Sequence, residues 1–136
     1  MVHHVNEIAQ AEVCFRTRLA NFWMHGRFLV LDEKKMSKSS GSFLTIDGLL
    51  ERDYEPLAYR MFLLGAHYRR PLTFAWDALD AATVALQRLR TTTHDLGSAG
   101  DPDPASIEAF TACVNDDLNM PRALAVVWGL VQEEAA

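Results

Sequence analysis

Three lysines, Lys34, Lys35 and Lys38, are the only ones in the chain, and they fall within five residues of the stretch EKKMSKSSGSF at residues 33–43. Compact ammonium groups act on phosphate as mobile point charges, and neighbouring hydroxyls and backbone N–H groups complete the oxygen coordination. Ser37, Ser39, Ser40 and Ser42 supply the hydroxyls, and Gly41 lets the backbone approach a ligand closely. Lysines held over a nucleotidyl group in transfer would stabilise the charge that develops on its phosphates. The plainer reading of the same residues is a solvated surface loop.

A second pair has metal-ligand chemistry. His3 and Glu7 are four apart and share one face of a helix. Imidazole and carboxylate both bind zinc, but two ligands do not close a tetrahedral site, and the same pair serves equally as ordinary surface polarity. A third cluster, Tyr68, Arg69 and Arg70, is suited to RNA backbone or to stacking on a base. Its alternative is a helix end with cations placed at the negative pole of the dipole. His25, beside a strand, is read as a structural histidine, Trp23 as packing, and Arg60 as a helix surface residue. Asp116 and Asp117 are read as capping and solvating a turn.

The composition narrows the class. Hydrophobic content of 49% in 136 residues suits a soluble globular protein. No apolar run approaches the roughly 18 residues of a membrane span, and no signal peptide opens the chain. Cys14 and Cys113 make no disulfide framework, so a cytoplasmic location is expected and both are read as small buried helix residues. Residues 1–70 carry ten basic and eight acidic residues, whereas residues 71–136 carry three basic and ten acidic. An anionic partner should therefore meet the first half.

These residues must be positioned by a mainly helical chain. Residues 6–19 read as a helix with Ile8, Ala11, Phe15 and Leu19 on one face. RFLVLD at residues 27–32 is the one convincing strand, and a lone strand makes no sheet, which points to a partner outside the chain. The lysine stretch is too polar and too rich in Ser and Gly for either element. Thr45 is expected to cap a short helix through Glu51. From there the pattern is helical: from Pro56 with Leu57, Met61 and Leu64 inward; over 76–90 with Leu79, Ala82, Leu86 and Leu89 inward; over 105–117 with Ile107, Phe110 and Val114; and over 121–132 with Leu124, Val127, Trp128 and Val131. Residues 91–104 read as a connection, and Asn119 as a cap before Pro121.

Residues 35–39 spell KMSKS, the signature loop of class I aminoacyl-tRNA synthetases. HHVNEIAQAE (3–12), FWMHGRFLVLDEKKMSKSSGSFLTI (22–46), LLGAHYRRPLTF (63–74) and DDLNMPRALAVVWGLV (116–131) resemble, in that order, segments of the cysteinyl-tRNA synthetase family. The resemblance covers essentially the whole chain. It implies the C-terminal remnant of a Rossmann-type catalytic domain, with one short strand and the KMSKS loop, followed by a helical bundle. It also implies three divisions: 1–48 catalytic, 49–95 stem-contact, and 96–136 the start of a tRNA-binding bundle.

The resemblance further implies ATP-dependent formation of cysteinyl-adenylate and transfer to tRNA(Cys). Lys35, Met36, Ser37, Lys38 and Ser39 would bind ATP with its magnesium, and Lys35 and Lys38 would be catalytic, Lys38 facing the departing pyrophosphate. Lys34 matches no family role. His3 and Glu7 would be two of four zinc ligands, the other two being cysteines that this chain does not contain. His4 matches the family's second histidine, and Tyr68, Arg69 and Arg70 are candidate tRNA contacts.

Where the family has Leu-Gly-Asn after the loop, this chain has Ser40-Gly41-Ser42, so an altered loop geometry is expected. The family's His-x-Gly-His tetrapeptide does not occur here. The chain is therefore expected to be a fragment that is inactive alone, from a parent family commonly monomeric. Two other readings stay open: a cysteine ligase acting on an amino-sugar, and a non-catalytic helical module that binds RNA or a protein partner.

Overall fold

The computed structural model describes residues 4–31, 44–97 and 100–133. The fold is mainly helical with a two-stranded parallel sheet: α1 (Val5–Phe15), β1 (Leu29–Leu31), α2 (Ile46–Leu50), α3 (Pro56–Leu64), β2 (Leu72–Phe74), α4 (Trp76–Asp95), α5 (Pro104–Asn115) and α6 (Met120–Glu133).

The expected lone strand has a partner within the chain, which corrects the sequence reading. Leu29, Val30 and Leu31 pair in parallel with Leu72, Thr73 and Phe74. The return strand escaped notice because three residues behind Pro71 are too few for a period-two pattern to register. Parallel pairing requires a long connection, and the segment holding α2 and α3 provides it. The pairing also crosses residue 48, so β1 shares one core with α2, α3 and α4.

That core is Leu49, Ala58, Phe62, Phe74, Leu79 and Ala82, with Leu29, Leu31 and Leu44 packed against it. Phe74 is fully buried and meets Phe62 and Trp76 edge-on, with ring centroids 5.8 and 5.1 Å apart. Such offset geometry suits the ring quadrupoles. Helix α3 buries Ala58 and Phe62; of the expected face Met61 packs against the core and Leu64 is half-buried, but Leu57 is exposed. Helix α4 presents Leu79 and Ala82 as expected but runs to Asp95, five residues further than its apolar pattern. Thr93 hydrogen-bonds back to the Leu89 and Arg90 carbonyls within it, and Gly97 follows the end at φ 75°.

Helices α5 and α6 form an antiparallel hairpin that buries Cys113, Ala123 and Val131. Pro104 opens α5, with the Asp103 carboxylate accepting from the Ser106 N–H at 2.9 Å. Asn119 precedes α6 and its carbonyl accepts the Ala123 N–H. Ile107, expected inward, is exposed. Helix α1 is shorter than expected because Arg16 turns into the left-handed region at φ 51°. It buries none of its residues, so Cys14, expected inside, is exposed while Cys113 is buried. Among the described residues no helix is long and apolar enough to cross a membrane.

Candidate functional site

The KMSKS pentapeptide, Lys35 to Ser39, lies outside the described residues, but both of its anchors are described. Upstream, the chain leaves the sheet at Leu31. Downstream it enters α2 through Thr45, whose hydroxyl accepts the Gly48 N–H at 3.0 Å as expected for a cap. A Cβ at Gly48 would lie 3.2 Å from that hydroxyl, so glycine keeps the cap tight. The described residues on either side of the lysine stretch are thus a half-buried strand and a capped helix.

Of the two candidate zinc ligands, His3 lies outside the described residues. Glu7 is in the first turn of α1, with its Oε1 3.8 Å from His4 Nδ1. The His4 ring stacks on Trp23 at 4.7 Å and lies 5.0 Å from His25. Residues four to seven and 23–25 therefore meet, and His4, Trp23 and His25 form one aromatic group that no spacing rule could have joined. Among the described residues no three His, Cys, Asp or Glu side chains converge as a metal site would require. Cys14 is seven residues beyond Glu7 on the same helix, about 10 Å along the axis. The described residues alone do not fit a zinc ion.

The third cluster is fully described, and its parts separate. Arg69 donates to Asp117 through Nε at 2.6 Å and Nη2 at 3.1 Å, while the Tyr68 hydroxyl donates to the same carboxylate at 2.7 Å. The Arg69 guanidinium also lies over the Tyr68 ring at 4.9 Å, and His67 Nε2 stands 3.9 Å from the carboxylate. The donors from Arg69 and then Tyr68 hold the Asp117 carboxyl down to about 2. The same hydrogen bond raises the Tyr68 phenol and the Arg69 guanidinium above their ordinary values.

Asp117 was expected only to solvate a turn. Instead it ties the loop before β2 to the turn between α5 and α6, where Asp117 and Leu118 both adopt φ 54°. Two consecutive non-glycine residues in that region cost energy, and such a turn persists where its surroundings hold it. Arg70 has no ion pair among the described residues. No sequence signal foretold the Asp117 contact, because its partner lies 48 residues away.

A smaller lock within the core unit follows the same chemistry. Arg90 of α4 grips Glu55, the residue before α3, with both guanidinium contacts at 2.6 Å. That hydrogen bonding lowers the Glu55 carboxyl.

Comparison with known proteins gives the family. The family described as the class I (C) tRNA synthetase catalytic domain matches residues 1–84. Cysteine–tRNA ligase 1 of Burkholderia lata is 53% identical over 132 residues, covering 96% of this chain and 28% of that protein. The cysteine–tRNA ligases of Hydrogenovibrio crunogenus and Methylococcus capsulatus are 42% and 40% identical, each over 96% of this chain and 29% of their own length. The chain thus spans a little under a third of the curated relatives it matches. With a family match over residues 1–84 and 53% identity across nearly its whole length, this chain belongs to the class I cysteinyl-tRNA synthetase family of ligases.

Proposed function

We propose that this chain supplies the phosphate loop and the stem-contact portion of a cysteine–tRNA ligase that forms cysteinyl-adenylate from ATP and cysteine and then charges tRNA(Cys). Residues 1–48 belong to the catalytic part, 49–95 to the stem-contact part and 96–136 to the beginning of a helical tRNA-binding region. The observation that carries this reading is an intact KMSKS at residues 35–39 in a chain 53% identical to a named cysteine–tRNA ligase.

In the first step the cysteine carboxylate attacks the α-phosphorus of ATP and pyrophosphate departs. Lys35 and Lys38 hold the triphosphate, with its accompanying magnesium, and offset the charge that grows on the leaving group. Met36, Ser37 and Ser39 set the loop geometry, and the serine hydroxyls donate to phosphate oxygens. The Ser40-Gly41-Ser42 continuation retains hydrogen-bonding capacity where the family has leucine and asparagine. Tyr68, Arg69 and Arg70 are the candidate tRNA contacts, and of the two arginines Arg70 is the one without an ion pair among the described residues. Transfer of the cysteinyl group to the terminal hydroxyl of tRNA completes the reaction.

The test is cysteine-dependent exchange of pyrophosphate into ATP, followed by aminoacylation of tRNA, with this chain embedded in the full-length ligase. Lys38→Ala should lower exchange by about 10²–10³-fold, the range for loss of a transition-state donor, and Lys35→Ala by less. The isolated chain should support no exchange. Full exchange by Lys38→Ala, or ligation to an amino-sugar in place of tRNA, would overturn the assignment.

A further inference from the structure

Of Tyr68, Arg69 and Arg70, two are already occupied. The Tyr68 hydroxyl and the Arg69 Nε and Nη2 converge on the two Asp117 oxygens at 2.7, 2.6 and 3.1 Å. His67 Nε2 adds a further nitrogen 3.9 Å from the same carboxylate. Such a donor set, a guanidinium fork beside a hydroxyl, fits a phosphate as well as it fits a carboxylate.

The contact crosses between two units. Asp116, the neighbouring carboxylate, stays within the hairpin, with Arg122 Nη1 and Asn119 Nδ2 each 3.3 Å from it. Asp117 instead reaches over to the loop before β2. The buried residues of the hairpin, Cys113, Ala123 and Val131, lie outside the core cluster of the unit from β1 to α4. The hairpin can therefore shift while that core stays packed. Both partners are open to solvent, the Arg69 side chain at 63% and that of Asp117 at 47%, and an exposed ion pair holds weakly against competing ions. Asp117 and Leu118, both at φ 54°, are kept in the left-handed region with the help of this contact. The donors hold the Asp117 carboxyl at about 2, so near neutrality an anion rather than a proton would take its place.

We propose that Asp117 is an autoinhibitory stand-in for an RNA phosphate, occupying the Tyr68 and Arg69 donors until the RNA backbone displaces it and frees the α5–α6 turn. The proposal rests on the reading of Tyr68, Arg69 and Arg70 as tRNA contacts. Arg70, which has no ion pair among the described residues, makes the first encounter. When phosphate replaces carboxylate, the guanidinium keeps its fork and the turn loses its tether. RNA binding and docking of the turn compete for Arg69, so a change that weakens one strengthens the other.

The probe is a short, fully paired RNA hairpin, titrated into the full chain and followed by fluorescence anisotropy and by the Arg69 Nε–H NMR signal. Asp117→Asn should bind it about tenfold more tightly at low salt, because no ionised competitor remains on Arg69. In an Arg69→Gln background the same substitution should change the affinity little. That comparison separates competition for the guanidinium from the mere removal of a negative charge. In the unsubstituted chain, saturation with RNA should move the Arg69 signal and the amides of residues 116–118 together, a result that needs no variant to fold. A gain that survives Arg69→Gln, an Asp117→Asn chain that binds no more tightly, an Arg69 signal unmoved at saturation, or no RNA binding by any form would each overturn the proposal. The ligase reading is decided separately, by pyrophosphate exchange.

Discussion

Residues 4–28 and the unit from β1 to α4 are comparably rich in large apolar side chains, yet they use them in opposite ways. In the first region Val13, Phe15, Phe22 and Phe28 are 78%, 76%, 92% and 82% exposed. In the second, Leu49, Phe74 and Leu79 are 0% exposed and Phe62 is 9%. What separates them is opposing surface. Next to helix α1, His4 packs on Trp23 and His25, and among the described residues none of the helix's apolar positions is buried, Ile8 and Ala11 being only half-covered. Helices α3 and α4 pack on each other and on two paired strands. An apolar stripe is a capacity for burial, and only a second surface turns it into stability.

If the contrast is real, the largest effect should come from the centre of the second region. Phe74→Ala removes a ring from a site with no solvent access, in contact with both Phe62 and Trp76. Loss of about 3–5 kcal/mol is expected, from the lost transfer energy and the residual cavity. Urea unfolding of the variant against the parent chain measures it. A loss below about 1 kcal/mol would mean that this core is not the cooperative unit.

A middle-sized effect should appear where the core unit meets the α5–α6 hairpin. Asp117 has its carboxyl held from an ordinary 3.8 down to about 2 by Arg69 and Tyr68. A depressed carboxyl contributes stability above its unfolded value, and the contribution is lost as pH falls through the folded one. Amide exchange in the turn between α5 and α6 should therefore accelerate between about pH 4 and pH 2. Asp117→Asn should show fast exchange throughout and lose that step. The Glu55–Arg90 pair titrates in the same direction, but α3 and α4 keep their apolar contacts when it is lost, so exchange there should change less. Equal acid responses at the two locks would erase the distinction between a contact that closes an interface and one that decorates it.

The parts legible in the sequence were those decided within a few residues. Thr45 as a cap, Pro56 at a helix start, and the Leu79–Ala82 face of α4 all depend on local spacing or local hydrogen bonds. What escaped was decided at long range. Leu72–Phe74 becomes a strand because β1 offers it an edge. Ala58 and Phe62 turn inward because Phe74 and Leu79 meet them, although Leu57 continued an equally regular stripe. Within the candidate site, the chemistry of Tyr68 and Arg69 was visible, but their commitment to Asp117 was not. Cys14 was placed inside by the same logic that wrongly assigned α1 a buried face.

The smallest expected effect tests the contrast from the other side. Phe22→Ser and Phe28→Ser replace rings that are 92% and 82% exposed. Side chains that remain in water contribute almost nothing to the folding equilibrium, so each substitution should leave stability within about 0.5 kcal/mol of the parent chain. The same substitutions should instead reduce self-association, because rings in the open are the surface most available to other molecules. Sedimentation across a concentration series separates the two quantities. If either serine variant unfolds several degrees earlier at low concentration, its ring is buried in the monomer. A loss seen only at high concentration assigns the burial to contacts between copies, leaving the difference between the two regions intact within one chain.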